Sequence, residues 1–241
     1  MKKIYLCFVL LLMTSILVGC GVKVRIKYDD ASLYSEYKEE VDLTNEEISK
    51  VSIDWISGSI EIKKGEKFTV YEEVINGTYK PLYWYANEGK LKVAYCKSGT
   101  TNKDITGLSK KLVIVTNKDL EELDIDNVSS SISIDLNEVS EIDIDNVSGN
   151  IDILVNKVKK VDVDTVSGNC SLKVMDNSLL KIIDFDSTSS NLTLLLPEGS
   201  AFEVDRNAIS GAYNNEFDNS SDGFKVDFDS VSGNLNIKKI E

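Results

Sequence analysis

The sequence predicts an all-β fold in which rungs of about 19–22 residues stack into a β-solenoid. One stretch, IDIDNVSGNIDI at residues 142–153, alternates apolar and acidic residues, turns at a Ser-Gly pair and resumes the alternation. Proline, which interrupts strand pairing, occurs only as Pro81 and Pro197. Related stretches recur at residues 51–58, 123–130, 142–149, 161–168, 183–190, 204–211 and 226–233.

Each repeat is typical of two half-buried strands joined at a corner. Period-two alternation directs Ile142 and Ile144 to one face and Asp143 and Asp145 to the other. Glycine permits the tight turn between the two strands. A single unit cannot bury its apolar face, but stacked units bury it against one another, so the repeat predicts a solenoid core.

Stacking also predicts columns of equivalent side chains, spaced by about 4.7–4.9 Å. Hydroxyls and amides in such columns can satisfy polar groups at the corners. Cys170 takes a position that is apolar in the other repeats, so we expect a small core residue there, and a Cys96–Cys170 disulfide is the less favoured alternative. The serine column comprises Ser57, Ser129, Ser148, Ser167, Ser189, Ser210 and Ser232, and the asparagine column comprises Asn150, Asn169, Asn191 and Asn234.

The N-terminus predicts export and a lipid anchor. Lys2 and Lys3 precede an apolar run that is typical of a secretory signal and short for a membrane-spanning helix. The run ends in LVGC, which resembles the lipobox of bacterial lipoproteins and implies cleavage before a lipidated Cys20. An uncleaved signal anchor is the alternative. The predicted organisation is a signal peptide at 1–19, a lipidated tether at 20–40 with a strand at 22–28, and a repeat domain at 41–241.

The segment between the first two repeats is irregular, and it is long enough for about three more units. Residues 77–110 include two β-prone runs around Asn87-Glu88-Gly89, which predict a hairpin. Clustered aromatic residues here favour either a cover for one end of the solenoid or a recognition patch for peptide or glycan. We favour the cover, because terminal units of solenoids are atypical. The aromatic residues are Tyr79, Tyr83, Trp84, Tyr85 and Tyr95.

Acidic residues dominate the predicted outer face. The net charge of −13 argues against a nucleic-acid partner. Carboxylates stacked about 5 Å apart repel by about 3 kcal/mol at an effective dielectric of 20. They form either a solvated face, which we favour, or a comb that binds cationic peptides or, weakly, Ca²⁺. One column comprises Asp124, Asp143, Asp162, Asp184, Asp205 and Asp227, the other comprises Asp126, Asp145, Asp164, Asp186, Asn207 and Asp229, and the candidate cation-binding residues are Asp143, Asp145, Asp162, Asp164, Asp184 and Asp186.

No pattern in the sequence predicts catalysis. The chain has no histidine, the commonest general base and metal ligand, and it has no nucleophile elbow or phosphate loop. Arg206 takes an apolar slot of the repeat, so it either points outward from a bulge or is buried against a carboxylate. A glycan-acting β-helix enzyme with an arginine base is the least favoured interpretation. We expect no enzymatic activity and no cofactor.

The repeats also resemble a known family. The recurring VSGN-type strands, the segment LLLPEGSAFEVDRNAISG and the C-terminal FKVDFDSVSGNLNIKK are similar to the adhesin-like, β-strand-repeat family of bacterial envelope proteins. They are similar as well to the toastrack domains of envelope-stress proteins. The resemblance covers residues 40–241 and implies an all-β, extracytoplasmic domain without established catalytic residues. Members tied to stress signalling are linked to envelope-active antimicrobial peptides or to membrane sensor partners.

Together these features favour a non-catalytic binding module, associated with envelope stress and anchored to the extracytoplasmic face of the cell membrane. The expected partners are the lipid bilayer, through Cys20, and cationic peptides, Ca²⁺ or an envelope protein, through the acidic face. An adhesin-like structural surface protein is the alternative.

Replacement of the lipid-acceptor residue tests the anchor. Cys20→Ala should move the protein from the membrane fraction to the soluble exported fraction, because the variant has no thiol to carry the lipid. Cell fractionation and immunoblotting measure the distribution. Equal membrane retention of the two forms would contradict lipidation at this position.

Overall fold

A computed structural model describes residues 25–28, 30–37, 40–77, 82–218 and 222–240. The described residues are mostly β-strand, with one short 3-10 helix at Asn102–Ile105. No helix among them has the length and apolarity needed to cross a membrane. The predicted signal peptide and Cys20 lie outside the described residues.

Fourteen strands make up one continuous sheet. In chain order they are β1 (Ser35–Tyr37), β2 (Val41–Asp42), β3 (Lys50–Lys64), β4 (Thr69–Asn76), β5 (Leu82–Asn87), β6 (Lys90–Ala94), β7 (Ser109–Thr116), β8 (Leu120–Ser148), β9 (Ile151–Asp176), β10 (Ile182–Leu196), β11 (Phe202–Ser210), β12 (Tyr213–Asn215), β13 (Phe224–Ser232) and β14 (Leu235–Lys239).

Four long strands form the central stack and confirm the predicted register. β3, β8, β9 and β10 pair in parallel, and β8 and β9 each pass through a corner into the next layer. Ile142 lies opposite Val161, which lies opposite Ile183. The turn residue Ser167 lies opposite Ser189 in the same way. The aligned repeats are therefore adjacent layers of an all-β, solenoid-like stack.

The order of the layers departs from the order of the chain at the C-terminal end. β13 and β14 insert between β10 and the pair formed by β11 and β12. Val226 of β13 therefore lies opposite Ile183 on one side and Val204 on the other. The last repeat of the chain lies inside the stack, and residues 202–215 form its outermost layer.

A second departure occurs at the N-terminal end. β6 and β7, which belong to the insertion, together form one parallel layer on the outer side of β3, with Val93 opposite Ile53. The insertion, long enough for about three irregular units, thus supplies one parallel layer, and its remainder pairs antiparallel instead. β4 pairs with β7 and with β2, and β5 pairs with β6 and with β1. These antiparallel strands cover the N-terminal end of the stack.

The predicted hairpin is confirmed between β5 and β6. Glu88 and Gly89 have positive φ angles of 49° and 77°, as a two-residue hairpin turn requires. The aromatic residues are largely buried, which favours their role as a cover for the end of the solenoid and argues against a recognition patch. Tyr95 is fully buried, Tyr83 is nearly so, Trp84 and Tyr85 are half-buried, and Tyr79 lies outside the described residues.

The core follows the predicted alternation. Ile144 is fully buried, and Cys170 retains only 3% of its surface as the expected small core residue. Cys96 is also buried, and both thiols are free. An internal amide ladder was not predicted: Asn127 Nδ2 donates to Asn146 Oδ1 at 2.7 Å inside the corner.

The corners depend on glycine and on polar ladders. Gly149 has a φ of 123°, and a Cβ at this position would lie 2.1 Å from the carbonyl oxygen of Ser130. Ser148 Oγ donates to a backbone carbonyl of the preceding layer at 3.3 Å. Asn191 Nδ2 donates to Asn169 Oδ1 at 2.8 Å. The serine and asparagine columns thus satisfy polar groups at the turns, as predicted.

Residues 25–37, expected to be part of a tether, pack against the insertion. The Ile26 amide donates to the Thr100 carbonyl at 2.9 Å, and β1 pairs with β5. Residues 22–24 of the strand predicted at 22–28 lie outside the described residues, and residues 25–28 form only an isolated bridge between Arg25 and Thr101. The packed domain therefore includes residues that were predicted to belong to the tether.

A pair of neighbouring substitutions tests the register. Ile144→Asp places a carboxylate in the apolar core and should lower the free energy of unfolding by several kcal/mol. Asp145→Ser changes a residue on the outer side of the same strand and should have a much smaller effect. Thermal or chemical denaturation of the two variants measures the difference, and equal losses would contradict this register.

Candidate functional site: the acidic outer face

The aspartates predicted to form columns lie in register on one outer face. Strand pairing places Asp143, Asp162 and Asp184 opposite one another in three consecutive layers. In spatial order, the first column contains Ser52, Asp124, Asp143, Asp162, Asp184, Asp227 and Asp205, and the second column contains Asp54, Asp126, Asp145, Asp164, Asp186, Asp229 and Asn207.

Lysines flank the first column and neutralise part of its charge. Lys160 Nζ lies 2.7 Å from Glu141 Oε1 and 3.2 Å from Asp162 Oδ2. Asp162 retains only 9% of its surface, so the expectation of a solvated carboxylate was wrong at this position. Lys225 Nζ lies 2.7 Å from Asp227 Oδ2 in a similar ion pair. The first column is therefore partly closed to an external cation.

The second column is the more open of the two. Asp186 and Asp229 are exposed. At the N-terminal end of the column, Asp54 Oδ2 lies 3.5 Å from Lys92 Nζ. An external cation therefore meets the second column more readily than the first.

Burial and, after it, the charges of neighbouring carboxylates raise several pKa values on this face. Burial and, after it, the charges of neighbouring aspartates raise the pKa of Asp184 to about 6. Burial raises the pKa of Asp124, although Ser52 Oγ donates to its carboxylate at 3.2 Å. Loss of hydration and the charge of Asp54 raise the pKa of Asp126. A bound cation would relieve the electrostatic part of this penalty.

An apolar row borders the second column. Its members immediately precede the turn serines, so by alternation they share the outward side of the sheet with the aspartates. Exposure increases toward the C-terminal end, where Val231 is 50% exposed and Ile209 is 85% exposed. The sequence could have predicted this row, because its residues occupy the same alternating, outward positions as the aspartates. The apolar row comprises Ile56, Val128, Val147, Val166, Val231 and Ile209, it is interrupted by Thr188 in the layer of β10, and Val147 in the central layers is buried.

The N-terminal end of the acidic face carries a tyrosine cluster from the docked segment. Tyr34 packs edge-on against Tyr85 with ring centroids 5.0 Å apart, and Tyr85 Oη donates to Asp30 Oδ2 at 2.9 Å. Burial, followed by the charge of nearby Asp54, raises the pKa of Tyr34. The face is therefore most accessible in the central and C-terminal layers.

Arg206 matches neither arrangement expected for it. It lies opposite Phe228 without a bulge, so it occupies the inward slot of the outermost layer and is half-buried. Its Nη2 donates to the Gly211 carbonyl at 2.9 Å. Arg206 forms no ion pair with a carboxylate of the described chain. This arrangement gives no support to a catalytic arginine.

A buried charge pair, absent from the sequence predictions, lies in the insertion. Lys110 Nζ is 2.8 Å from Glu72 Oε2, and both side chains are almost completely buried. The ammonium group also lies over the rings of Tyr95 and Trp55, at 4.6 and 5.1 Å from their centroids. Burial lowers the pKa of Lys110, whereas Glu72 opposes that shift. Because the pair is buried, it links β4 to β7 within the insertion. It is not accessible to a ligand.

Metal ligands do not converge anywhere in the described chain. No group of three or more cysteine, aspartate or glutamate side chains among residues 25–28, 30–37, 40–77, 82–218 and 222–240 is placed to hold one ion. The in-register columns spread carboxylates along the stack instead of gathering them around a point. The geometry therefore suits an extended cation better than Ca²⁺.

The family model named Toastrack DUF4097 matches residues 25–238. The chain belongs to the Toastrack family. This membership confirms the resemblance found in the repeats, and the matched range includes the docked N-terminal segment. None of the curated proteins compared with the chain matches it.

Solved structures resemble this chain at low sequence identity. A protein from Clostridium sporogenes, named a putative cell adhesion protein, is 13% identical, with a TM-score of 0.50 over 86% of this chain and 100% of that one. A putative adhesin from Bacteroides fragilis is 14% identical, with a TM-score of 0.35 over 86% and 96%. A putative lipid binding protein from Parabacteroides distasonis is 13% identical, with a TM-score of 0.33 over 90% and 100%. Only the first likeness reaches a level that supports a shared fold.

The raised pKa of Asp184 predicts that stability falls as pH rises. A carboxyl with a folded-state pKa near 6 binds its proton more tightly in the folded than in the unfolded protein. It therefore destabilises the fold progressively from the unfolded pKa of about 4 up to about pH 6. Asp184→Asn should flatten this dependence and raise Tm at pH 7 by about 2–4 °C, if solvent screening limits the gain to about 1 kcal/mol.

Calorimetry at pH 4.5 and pH 7 measures the effect, with Asp218→Asn as a control at an exposed position away from the columns. An equal pH dependence in the wild type and the Asp184→Asn variant would contradict the raised pKa of Asp184.

Proposed function

We propose that this Toastrack protein is an extracytoplasmic lipoprotein that binds polycationic peptides through its acidic outer face and performs no catalysis. The observation that carries this proposal is the in-register stacking of aspartates in consecutive layers. Stacked carboxylates repel one another, and the raised pKa of Asp184 reflects both that repulsion and burial. A ligand with several positive charges relieves repulsion in several layers at once.

The spacing of the carboxylates favours a peptide over a metal ion. Layers of a parallel sheet repeat every 4.7–4.9 Å or so, which resembles the pitch of about 5.4 Å between turns of an α-helix. Lysine and arginine side chains are long and flexible enough to absorb the difference over a few layers. The apolar row lies beside the second column, so an amphipathic cationic peptide would satisfy both surfaces.

The membrane location belongs to the same proposal. It rests on the lipobox-like LVGC at residues 17–20 and on the resemblance to envelope proteins. An adhesin-like role is the alternative, and its support is the name of the Clostridium protein that shares the fold. The two roles differ in ligand, because an adhesin need not respond to the charge of this face.

Neutralisation of the most central carboxylates tests peptide binding. Asp143, Asp145, Asp162 and Asp164 are replaced together by Asn in a chain that starts at residue 20 with Cys20→Ala. Isothermal titration with a cationic amphipathic peptide should give an affinity roughly tenfold lower for the variant at low salt. The difference should shrink at high salt, where screening weakens the wild-type interaction.

A charge-matched variant distinguishes an effect of the acidic face on binding from an effect of net charge. Glu66, Glu73, Glu88 and Glu198 are exposed and lie away from the columns, and their replacement by Gln removes the same number of charges. This control should bind nearly as well as the wild type. Equal loss in the two variants, or no loss in either, would show that the columns do not form the binding site.

A further inference from the structure

The C-terminal end of the stack finishes in an open strand edge. β11 and β12 form the last layer, and within the described chain β11 pairs only with β13 and β12 only with β14. The N-terminal end is different, because the antiparallel strands of the insertion cover it. An open edge presents backbone donors and acceptors that can pair with another strand.

The core is also less well covered at this end. Val204, Arg206 and Ala208 point inward from β11, yet each is only half-buried. In the outer layer at the opposite end, Leu91 and Val93 are fully buried. Apolar and backbone groups of the last layer are therefore available to a partner.

The charge pattern changes in the same layer. The second column holds an aspartate in every layer from β3 to β13, but it holds Asn207 in β11. Opposed carboxylates across a strand pair are destabilising, whereas opposed amides can hydrogen-bond. The one neutral position of the column thus lies at the open edge.

A twofold axis at Asn207 gives compatible neighbours in the central part of the strand. In antiparallel pairing of two β11 strands centred there, Asn207 faces Asn207 of the second copy. Asp205 faces Ile209, and Arg206 faces Ala208, whose small side chain leaves room for the guanidinium. Centring on Arg206 would oppose two guanidinium groups, and centring on Asp205 would oppose two carboxylates.

We propose that the occupant of this edge is a second copy of the chain, paired through antiparallel β11 strands about a twofold axis at Asn207. Each copy then supplies the missing layer for the other. The interface is closed, since each copy has one open end and the other end is covered by its own insertion. This proposal does not depend on the peptide-binding role of the acidic face.

Site-specific crosslinking tests the geometry in the chain that starts at residue 20 with Cys20→Ala, so that Cys20 cannot form a disulfide. Asn207→Cys should form a disulfide-linked dimer under mild oxidation, because each residue 207 faces its own copy. Asp205→Cys should not crosslink alone, whereas Asp205→Cys combined with Ile209→Cys should. The native thiols of Cys96 and Cys170 are buried and should not contribute. Crosslinking through Asp205→Cys alone, or none through Asn207→Cys, would overturn the proposed axis.

Sedimentation of the chain from residue 20 with Cys20→Ala tests the association itself. The wild type should form a concentration-dependent dimer, and Asn207→Asp should weaken it about fivefold, the upper range for directly opposed like charges in sheets. Asp205→Asn, on the same edge, should leave the dimer nearly unchanged. A monomer at every concentration reached would overturn the proposal and would mean that inward-pointing Arg206 serves to keep the edge unpaired.

Discussion

The parallel, in-register backbone ladder is the constraint on which the rest of the structure depends. Because equivalent positions stack at about 4.7–4.9 Å, every position of the repeat becomes a column, and the chemistry of a residue type is multiplied along the stack. Isoleucine and valine columns build the core, and serine and asparagine columns satisfy the corners. Aspartate columns concentrate negative charge in the same way. The fold thus gains its core and its electrostatic cost from one geometric rule.

Nearby lysines offset part of the repulsion between the aspartates, and they do so unequally in the two columns. Lys160 and Lys225 pair with carboxylates of the first column, and Asp162 is closed off as a result. In the second column, Lys92 pairs with Asp54 at the N-terminal end, near the tyrosine cluster. Relief of the repulsion by an external cation is therefore most effective where the second column is exposed, at Asp186 and Asp229.

Sequence alignment could predict which residues are equivalent but not which layers are neighbours. The serine of each turn fixed the register, so the pairing of Ile142 with Val161 follows directly from the alternation. Alignment is blind to spatial order, and both exchanges of order at the ends of the stack were missed. The ion pair between Lys110 and Glu72 was missed as well. Lys110 lies on β7 and Glu72 on β4, and the pairing of these two antiparallel strands follows no sequence repeat.

The exchange of order at the C-terminal end has a physical reason in Arg206. If layers followed the chain, residues 202–215 would lie between two other layers, and the guanidinium would be buried in the core at a cost of several kcal/mol. The final repeat carries Phe228 at the equivalent position, and this ring stacks on Phe185 at a centroid distance of 5.5 Å and an interplanar angle of 4°. The repeat with Phe228 at this inward position thus lies in the interior of the stack. The repeat with Arg206 takes the end, where the guanidinium reaches the Gly211 carbonyl. The same exchange places Asn207 at the open edge. Arg206 therefore determines the position of this layer, and Asn207 beside it determines which strand can pair with the edge.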